Sequence, residues 1–297
     1  MTPETGQNRP RSVLMFISAM LIFGTVGVFR RYIPLPSAFL ACARGILGGL
    51  FVLAYAAIRK KSLTTALPRR DAVRLAATGA VMGANWILLF EAYNYTTVAV
   101  ATLCYYMQPV IVLLVSPLVF REPLTAGKTV CAGLAVIGMV LVSGVTGGGN
   151  LPETNLQGIL LGLGAAACYS VVVIMNKKTG GIDTYQKTVI QLMAAGLVMV
   201  PYLLLSGGNI GTITLETAGL LLVIGLVHTG LAYVLYFGSM DGMKAQSIAI
   251  LSYIDPVSAL LFSALLLGER LSVAGIAGAI LIIGSAAVSE RLNHSNG

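Results

Sequence analysis

Charged residues are scarce in this chain, since Asp, Glu, Lys and Arg together make up 10% of its 297 residues. Soluble domains carry about 25%, so this composition, with a mean hydropathy of +0.86, excludes a water-soluble globular protein. Histidine occurs twice and cysteine four times, without a CxxC pair or a histidine near a cysteine. We therefore predict neither a metal site nor a cofactor, and we interpret the cysteines as buried apolar residues.

Motifs for nucleotide binding and catalysis are missing as well. The chain has no GxxxxGK[ST] phosphate loop, so ATP is not expected to drive it directly. It also lacks a GxSxG elbow, an HExxH zinc site and a GxGD aspartyl motif. One intramembrane aspartate cannot act as a catalytic dyad, so the protein is predicted not to be an enzyme, and an intramembrane enzyme is the least favoured class.

Long apolar runs dominate what the chain does contain. Ten stretches of about twenty residues can each cross a hydrocarbon core of ~30 Å. Helices satisfy the backbone hydrogen bonds that lipid cannot, so the sequence predicts an all-α polytopic membrane protein with ten transmembrane helices. We number these stretches segments 1 to 10: 12–30, 36–58, 72–92, 97–120, 125–144, 156–176, 185–206, 215–238, 244–267 and 272–290.

The chain repeats itself at an offset of 147 residues. Tyr106–Pro109 (YMQP) returns as Tyr253–Pro256 (YIDP), and the turn Glu122–Thr125 (EPLT) returns as Glu269–Ser272 (ERLS). A register held over this length indicates a duplication, which in a membrane chain is typical of a transporter.

The duplication divides the chain into two five-helix repeats, 12–144 and 156–290, joined by a linker at 145–155. Because five is odd, the second repeat enters the membrane from the opposite side. The two inverted repeats are then related by a pseudo-two-fold axis in the membrane plane, with a central cavity near the midplane. Residues 1–11 and 291–297 form the tails.

Basic residues are distributed unequally between the loops. With the N-terminus in the cytoplasm, fifteen Lys and Arg residues fall on the cytoplasmic side and three on the outer side. This positive-inside pattern predicts an inner (plasma) membrane protein with both tails cytoplasmic and the linker external. The net charge of +8 is therefore an orientation signal, and no nucleic-acid partner is expected.

These features together resemble the EamA-type transporters of the drug/metabolite transporter superfamily. The resemblance rests on the five-plus-five duplication, a proline in segments 4 and 9, and the Glu-Pro-Leu-Thr turn before segment 5. It implies ten helices arranged as a basket around a central cavity. It also implies export or exchange of small organic solutes, amino acids among them.

Asp255 lies in the middle of segment 9, where a carboxylate is costly unless it faces a cavity or a partner. Its repeat equivalent is Gln108, so a polar residue occurs in both halves and a charge in one. Asp255 is a candidate proton or cation site, or alternatively part of a packing ion pair. Arg44 in segment 2 can pair with either residue, receive a substrate carboxylate, or extend towards the outer surface. His228 in segment 8 can form a proton relay with Asp255 or serve in packing.

An aromatic set accompanies these polar residues. Trp86 and Tyr233 are repeat equivalents, and Tyr106 and Tyr253 open the two YxxP motifs. Such rings deep in a span are typical of a polar cavity, so we predict that they bind solute, with Asn85 as a weaker candidate.

Glu122 and Glu269 precede segments 5 and 10 and are candidates for gating. The alternative is structural, since Thr125 and Ser272 can cap the helices that follow and leave both carboxylates in the headgroup zone.

The favoured function is a secondary transporter, exporter or exchanger, for a small amino-acid-like or drug-like solute, working by alternating access. Its partners are the solute and the lipid bilayer, with coupling to a proton through Asp255 or no coupling at all. A channel or sensor is the alternative. That class would favour a ring of like residues, whereas the two halves of this duplication carry unlike charges.

Overall fold

The computed structural model describes residues 9–58, 67–96, 98–142, 155–205, 212–268 and 272–295. Every regular element within these ranges is helical, and helices occupy all ten segments. The α-helices are α1 (Arg9–Arg31), α2 (Ser37–Ile58), α3 (Arg69–Tyr95), α4 (Val98–Tyr105), α5 (Gln108–Phe120), α6 (Ala126–Val142), α7 (Asn155–Lys178), α8 (Thr184–Leu205), α9 (Leu215–Gly225), α10 (Ala232–Met240), α11 (Ala245–Leu251), α12 (Ile254–Leu267) and α13 (Val273–Ser295).

Eight of the described helical spans are long and apolar enough to cross a membrane. Segments 5 and 10 contain the shorter apolar helices Ala126–Val142 and Val273–Ser289. At 1.5 Å per residue, the 17 residues of α6 rise ~25 Å, slightly less than a typical hydrocarbon core. The chain is therefore an all-α, multi-pass membrane protein.

Segments 4 and 9 are each broken at the repeated YxxP motif. Segment 4 divides into α4 and α5 around Tyr106 and Met107, and segment 9 divides into α11 and α12 around Ser252 and Tyr253. A proline ring clashes with the carbonyl four residues earlier and offers no N–H to it. Pro109 therefore interrupts the helix at Tyr105, and Pro256 interrupts the helix at Ser252, which is where the breaks occur.

Segment 8 contains a π-helical turn, Leu226–Leu231, between α9 and α10. The extra residue widens the helix, and the Thr229 hydroxyl donates to the carbonyl of Ile224, five residues earlier, at 2.9 Å. Single π turns of this kind occur most often at functional sites.

The two halves of the chain pack against each other through several pairs of described segments. Segment 1 contacts segments 8 and 9, segment 6 contacts segments 3 and 4, and segment 7 contacts segments 2 and 3. Segment 2 also contacts segment 8, while segment 4 contacts segment 9 and segment 5 contacts segment 10. Exchanging each segment with its repeat equivalent reproduces this set of pairs.

Small residues allow the closest approaches between the halves. A Cβ added to Gly45 of α2 would stand 3.1 Å from Cα of Gly196 in α8, and one added to Gly79 of α3 would stand 2.4 Å from the carbonyl oxygen of Gln191. Backbones this close exclude any larger side chain.

Candidate solute site

A cavity of ≈ 190 Å³ lies between the two halves, beside both broken helices. Its wall combines aromatic rings with a few polar groups, an arrangement typical of small-molecule sites. The polar side chains are Arg44, Gln108, Ser252 and Asp255, and the aromatic ones are Phe23, Trp86, Phe90, Tyr105, Tyr106, Tyr169, Tyr233 and Tyr236. Six of the residues predicted from the sequence thus share one cavity: Arg44, Trp86, Tyr106, Gln108, Tyr233 and Asp255.

Hydrogen bonds connect residues at the two helix breaks across the interface between the halves. The Tyr106 hydroxyl donates to Oδ2 of Asp255 at 3.0 Å, and the Tyr253 hydroxyl donates to the backbone carbonyl of Tyr106 at 3.0 Å. Asp255 is in the first turn of α12, where the positive end of the helix dipole stabilises a carboxylate. Tyr253 itself does not line the cavity, so its hydroxyl positions Tyr106 from outside.

Gln108 provides a polar group that no described residue satisfies. The residue is 3% exposed and lines the cavity, and its Nε2 has no hydrogen-bond partner within the described ranges. A buried amide donor without a partner is costly. The side chain that carries this donor lies beside the cavity.

Arg44 contacts neither of the two partners that the sequence suggested. Its guanidinium lies over the Trp86 ring, 5.2 Å from the centroid, and its Nε donates to the Thr229 hydroxyl at 3.1 Å. Among the described residues no ion pair joins Arg44 to Asp255, although both line the cavity. A guanidinium has five N–H donors, so most of its capacity is open to a solute.

His228 and Asn85 face away from this cavity. Nε2 of His228 lies 2.8 Å from the Thr25 hydroxyl of segment 1, and no hydrogen bond connects it to Asp255. Nδ2 of Asn85 donates to the carbonyl of Ala165 at 2.6 Å, in the contact between segments 3 and 6. The structure does not bring His228 and Asp255 together as a relay.

Several residues that line the cavity were not predicted from the sequence. The rings of Tyr169 and Tyr236 stack with centroids 6.4 Å apart and an interplanar angle of 4°, and Phe23 meets Tyr233 edge-on at 5.2 Å. The sequence did contain a signal for Tyr236, because it follows Tyr233 by three residues and so lies on the same face of a helix. No comparable signal existed for Tyr169.

Glu122 connects the two halves at the predicted cytoplasmic end. Its carboxylate accepts the backbone N–H of Ala245 at 3.0 Å and that of Gln246 at 3.3 Å, at the start of α11. The Gln246 side chain returns a bond from Nε2 to the Glu122 carbonyl at 3.2 Å. Glu122 therefore caps a helix of the opposite repeat. The helix that follows Glu122 in its own repeat, α6, begins after Thr125, whose backbone carbonyl accepts the N–H of Thr129. The other gating candidate, Glu269, lies outside the described residues.

The same end contains further polar pairs. Asn176 and Gln191 exchange two side-chain hydrogen bonds of 2.9 and 2.8 Å, and both residues are fully buried. Nζ of Lys187 lies 3.8 Å from Oδ1 of Asp241. In segments 1 to 3, by contrast, the cavity is lined by residues nearer the predicted external ends, such as Val26 and Phe90. The polar pairs therefore lie on the predicted cytoplasmic side of these lining residues.

The chain is similar to several bacterial proteins along most of its length. It is 25% identical over 285 residues to the uncharacterized transporter YxxF of Bacillus subtilis (strain 168), covering 96% of this chain and 91% of the relative. It is 27% identical to protein PecM of Dickeya dadantii (strain 3937), covering 74% of each chain. A probable amino-acid metabolite efflux pump of Salmonella typhimurium is 28% identical, covering 67% of this chain and 70% of the relative.

A solved crystal structure has the same fold. It superimposes with a TM-score of 0.84 at 21% identity, covering 96% of this chain and 99% of the other. The family model of the EamA-like transporter family matches this chain twice, at residues 10–144 and 156–290. Those matches cover most of the sequence, so the chain belongs to the EamA-like transporter family.

Proposed function

We propose that this protein is a secondary transporter that moves a small, zwitterionic, amino-acid-like solute across the plasma membrane by alternating access, with both tails in the cytoplasm. One observation carries the proposal. The cavity between the two halves is lined by a guanidinium, Arg44, and a carboxylate, Asp255, that do not pair with each other.

A zwitterion supplies the two charges that these groups lack. The planar fork of Arg44 matches a solute carboxylate, and Asp255 with the adjacent tyrosine rings matches a solute ammonium. Gln108 adds an unsatisfied amide donor beside them. A purely apolar solute would leave all three groups desolvated without compensation.

The size of the cavity favours an amino acid over a larger drug. Its volume of ≈ 190 Å³ lies below the ~300–1,000 Å³ of sites for drug-sized ligands. The name of the Salmonella relative, a probable amino-acid metabolite efflux pump, agrees with this solute class and favours export as the direction.

Alternating access is supported by the packing of the halves. The main contacts between the halves, described above, map onto themselves when the repeats are exchanged, as expected of ten helices arranged as two inverted repeats. One end of the site is closed by Glu122 on the N-terminus of α11. We assign Glu122 as a gating residue of the cytoplasmic end, and the duplication makes Glu269 its counterpart.

Coupling is assigned to Asp255 alone. Its carboxylate lies at the break of segment 9, accepts one tyrosine hydroxyl and lines the cavity. His228 bonds to Thr25 instead, which favours the packing interpretation. A carboxylate that binds the solute and a proton alternately would couple solute transport to proton transport.

Counterflow in proteoliposomes tests the proposal. Unlabelled neutral amino acid trapped inside should accelerate uptake of the labelled amino acid, while amines or carboxylic acids with a single charge should not. Arg44→Gln should abolish the effect, and Arg70→Gln, the same change at an exposed site on α3, should preserve it. An uptake rate that does not depend on the trapped amino acid would favour a channel. Acceleration of uptake by trapped solutes with a single charge would contradict the proposal that the solute is a zwitterion.

A further inference from the structure

A second crevice opens away from the solute site, at the predicted cytoplasmic end of segments 1, 2, 7 and 8. It consists of two adjoining hollows of ≈ 340 and ≈ 310 Å³ that share Arg11, Met15, Tyr185 and Val234. The first hollow continues over apolar side chains that include Phe51 and Leu231. The crevice is therefore polar at one end and apolar along the rest.

The polar end contains the guanidinium of Arg11, for which the described residues supply no carboxylate. Arg11 is exposed at the mouth of the crevice. Beside it, Ser12 is 8% exposed and lines the crevice, and its hydroxyl makes no hydrogen bond in the described part of the chain. A guanidinium next to a buried hydroxyl is suited to the oxygens of a phosphate.

The apolar end is open to the bilayer. Leu231 is 41% exposed and Tyr55 is 37% exposed, both within membrane-spanning segments. The first hollow is lined by apolar side chains of segments 1, 2 and 8. A hydrocarbon chain can therefore lie in that hollow, continuous with the surrounding lipid.

We propose that this crevice binds an anionic phospholipid of the cytoplasmic leaflet. Its phosphate contacts Arg11 and Ser12, and one acyl chain follows Met15, Phe51 and Leu231. Basic pockets between helices on the cytoplasmic side are the usual place for such headgroups. The site also touches the solute machinery, because Leu231 ends the π turn whose Thr229 binds Arg44. Bound lipid therefore braces segment 1 against segments 7 and 8.

The test uses delipidated full-length protein in detergent, titrated with phosphatidylglycerol or phosphatidylcholine while the thermal unfolding midpoint is followed. Phosphatidylglycerol should raise the unfolding midpoint more than phosphatidylcholine does. Arg11→Gln should weaken its apparent affinity about fivefold, the loss expected for one basic residue at the surface. Arg70→Gln removes an exposed arginine at the same membrane side outside the crevice and should match the unmodified protein.

A second pair of variants tests the acyl-chain end. Leu231→Trp fills the apolar hollow and should reduce the phospholipid that native mass spectrometry finds retained. Leu118→Trp, at a residue that is 85% exposed outside the crevice, should not. Equal phosphatidylglycerol affinity in Arg11→Gln and Arg70→Gln would overturn the proposal. So would equal stabilisation by glycerol 3-phosphate, which would indicate a free-phosphate site, or full lipid retention by Leu231→Trp.

Discussion

Removing the Glu122 carboxylate should open the cytoplasmic end of the transporter. In the structure this group accepts the backbone N–H of Ala245 and Gln246, the first donors of α11. Losing a side-chain cap costs ~0.5–2 kcal/mol, and losing a charge at a helix N-terminus costs ~0.3–1 kcal/mol. Because Glu122 belongs to one repeat and α11 to the other, that loss destabilises the closed state relative to the open one.

The magnitude follows from these two contributions. In Glu122→Ala both are lost, ~0.8–3 kcal/mol in total, so the population of the open state should rise by roughly 4- to 150-fold. Glu122→Gln keeps an amide oxygen as acceptor but loses the charge, so its effect should be about 2- to 5-fold.

Hydrogen exchange of the Lys244–Leu251 peptide measures this opening directly, because its first two amides are the donors to Glu122. Their exchange rates should increase by the factors given above, most in Glu122→Ala and less in Glu122→Gln, relative to the unmodified protein. Glu216→Gln removes a carboxylate from the first turn of α9 and should leave the peptide unchanged. Identical exchange in Glu122→Ala and the unmodified protein would refute the assignment of this residue as a gate.

Three further predictions concern the cavity and the packing. Asp255→Asn should fold but lose uptake driven by a pH gradient; normal pH-dependent uptake would remove Asp255 from coupling. Trp86→Ala removes the ring under Arg44 and should weaken solute affinity by ~2- to 30-fold in a binding titration, whereas the lipid-facing Leu118→Ala should not. Gly79→Ala should cost ~1–3 kcal/mol of unfolding free energy, because the new Cβ would stand 2.4 Å from a carbonyl oxygen, while Gly133→Ala has nothing within 4 Å and should be neutral in the same denaturation assay.

Features with local causes were predictable from the sequence. The apolar runs were long enough to span a bilayer, and helices occupy each of them. Pro109 and Pro256 explain the breaks in segments 4 and 9 from the sequence alone, since a proline disrupts the hydrogen bond four residues back in any helix. Gln108 and Asp255, the polar residues beside those breaks, were predicted to bind solute, and both line the cavity.

Features that depend on helix rotation and on contacts between distant segments were decided by the tertiary structure. Tyr253 and Tyr106 occupy the same place in the repeat, yet Tyr106 lines the cavity and Tyr253 supports it from outside. Glu122 resembled a headgroup-zone residue, and only packing showed that it reaches α11.

Arg44 and His228 illustrate the same division. The sequence suggested both as partners of Asp255, since a charged or polar group within a membrane is expected to have a partner. It could not select their partners, because a π turn presents Thr229 to Arg44 while His228 faces Thr25 across the helix interface. Membrane-spanning segments and proline-induced helix breaks depend on residues that are close in sequence, so they can be predicted from it. The partner of a buried side chain depends instead on which helix faces pack together.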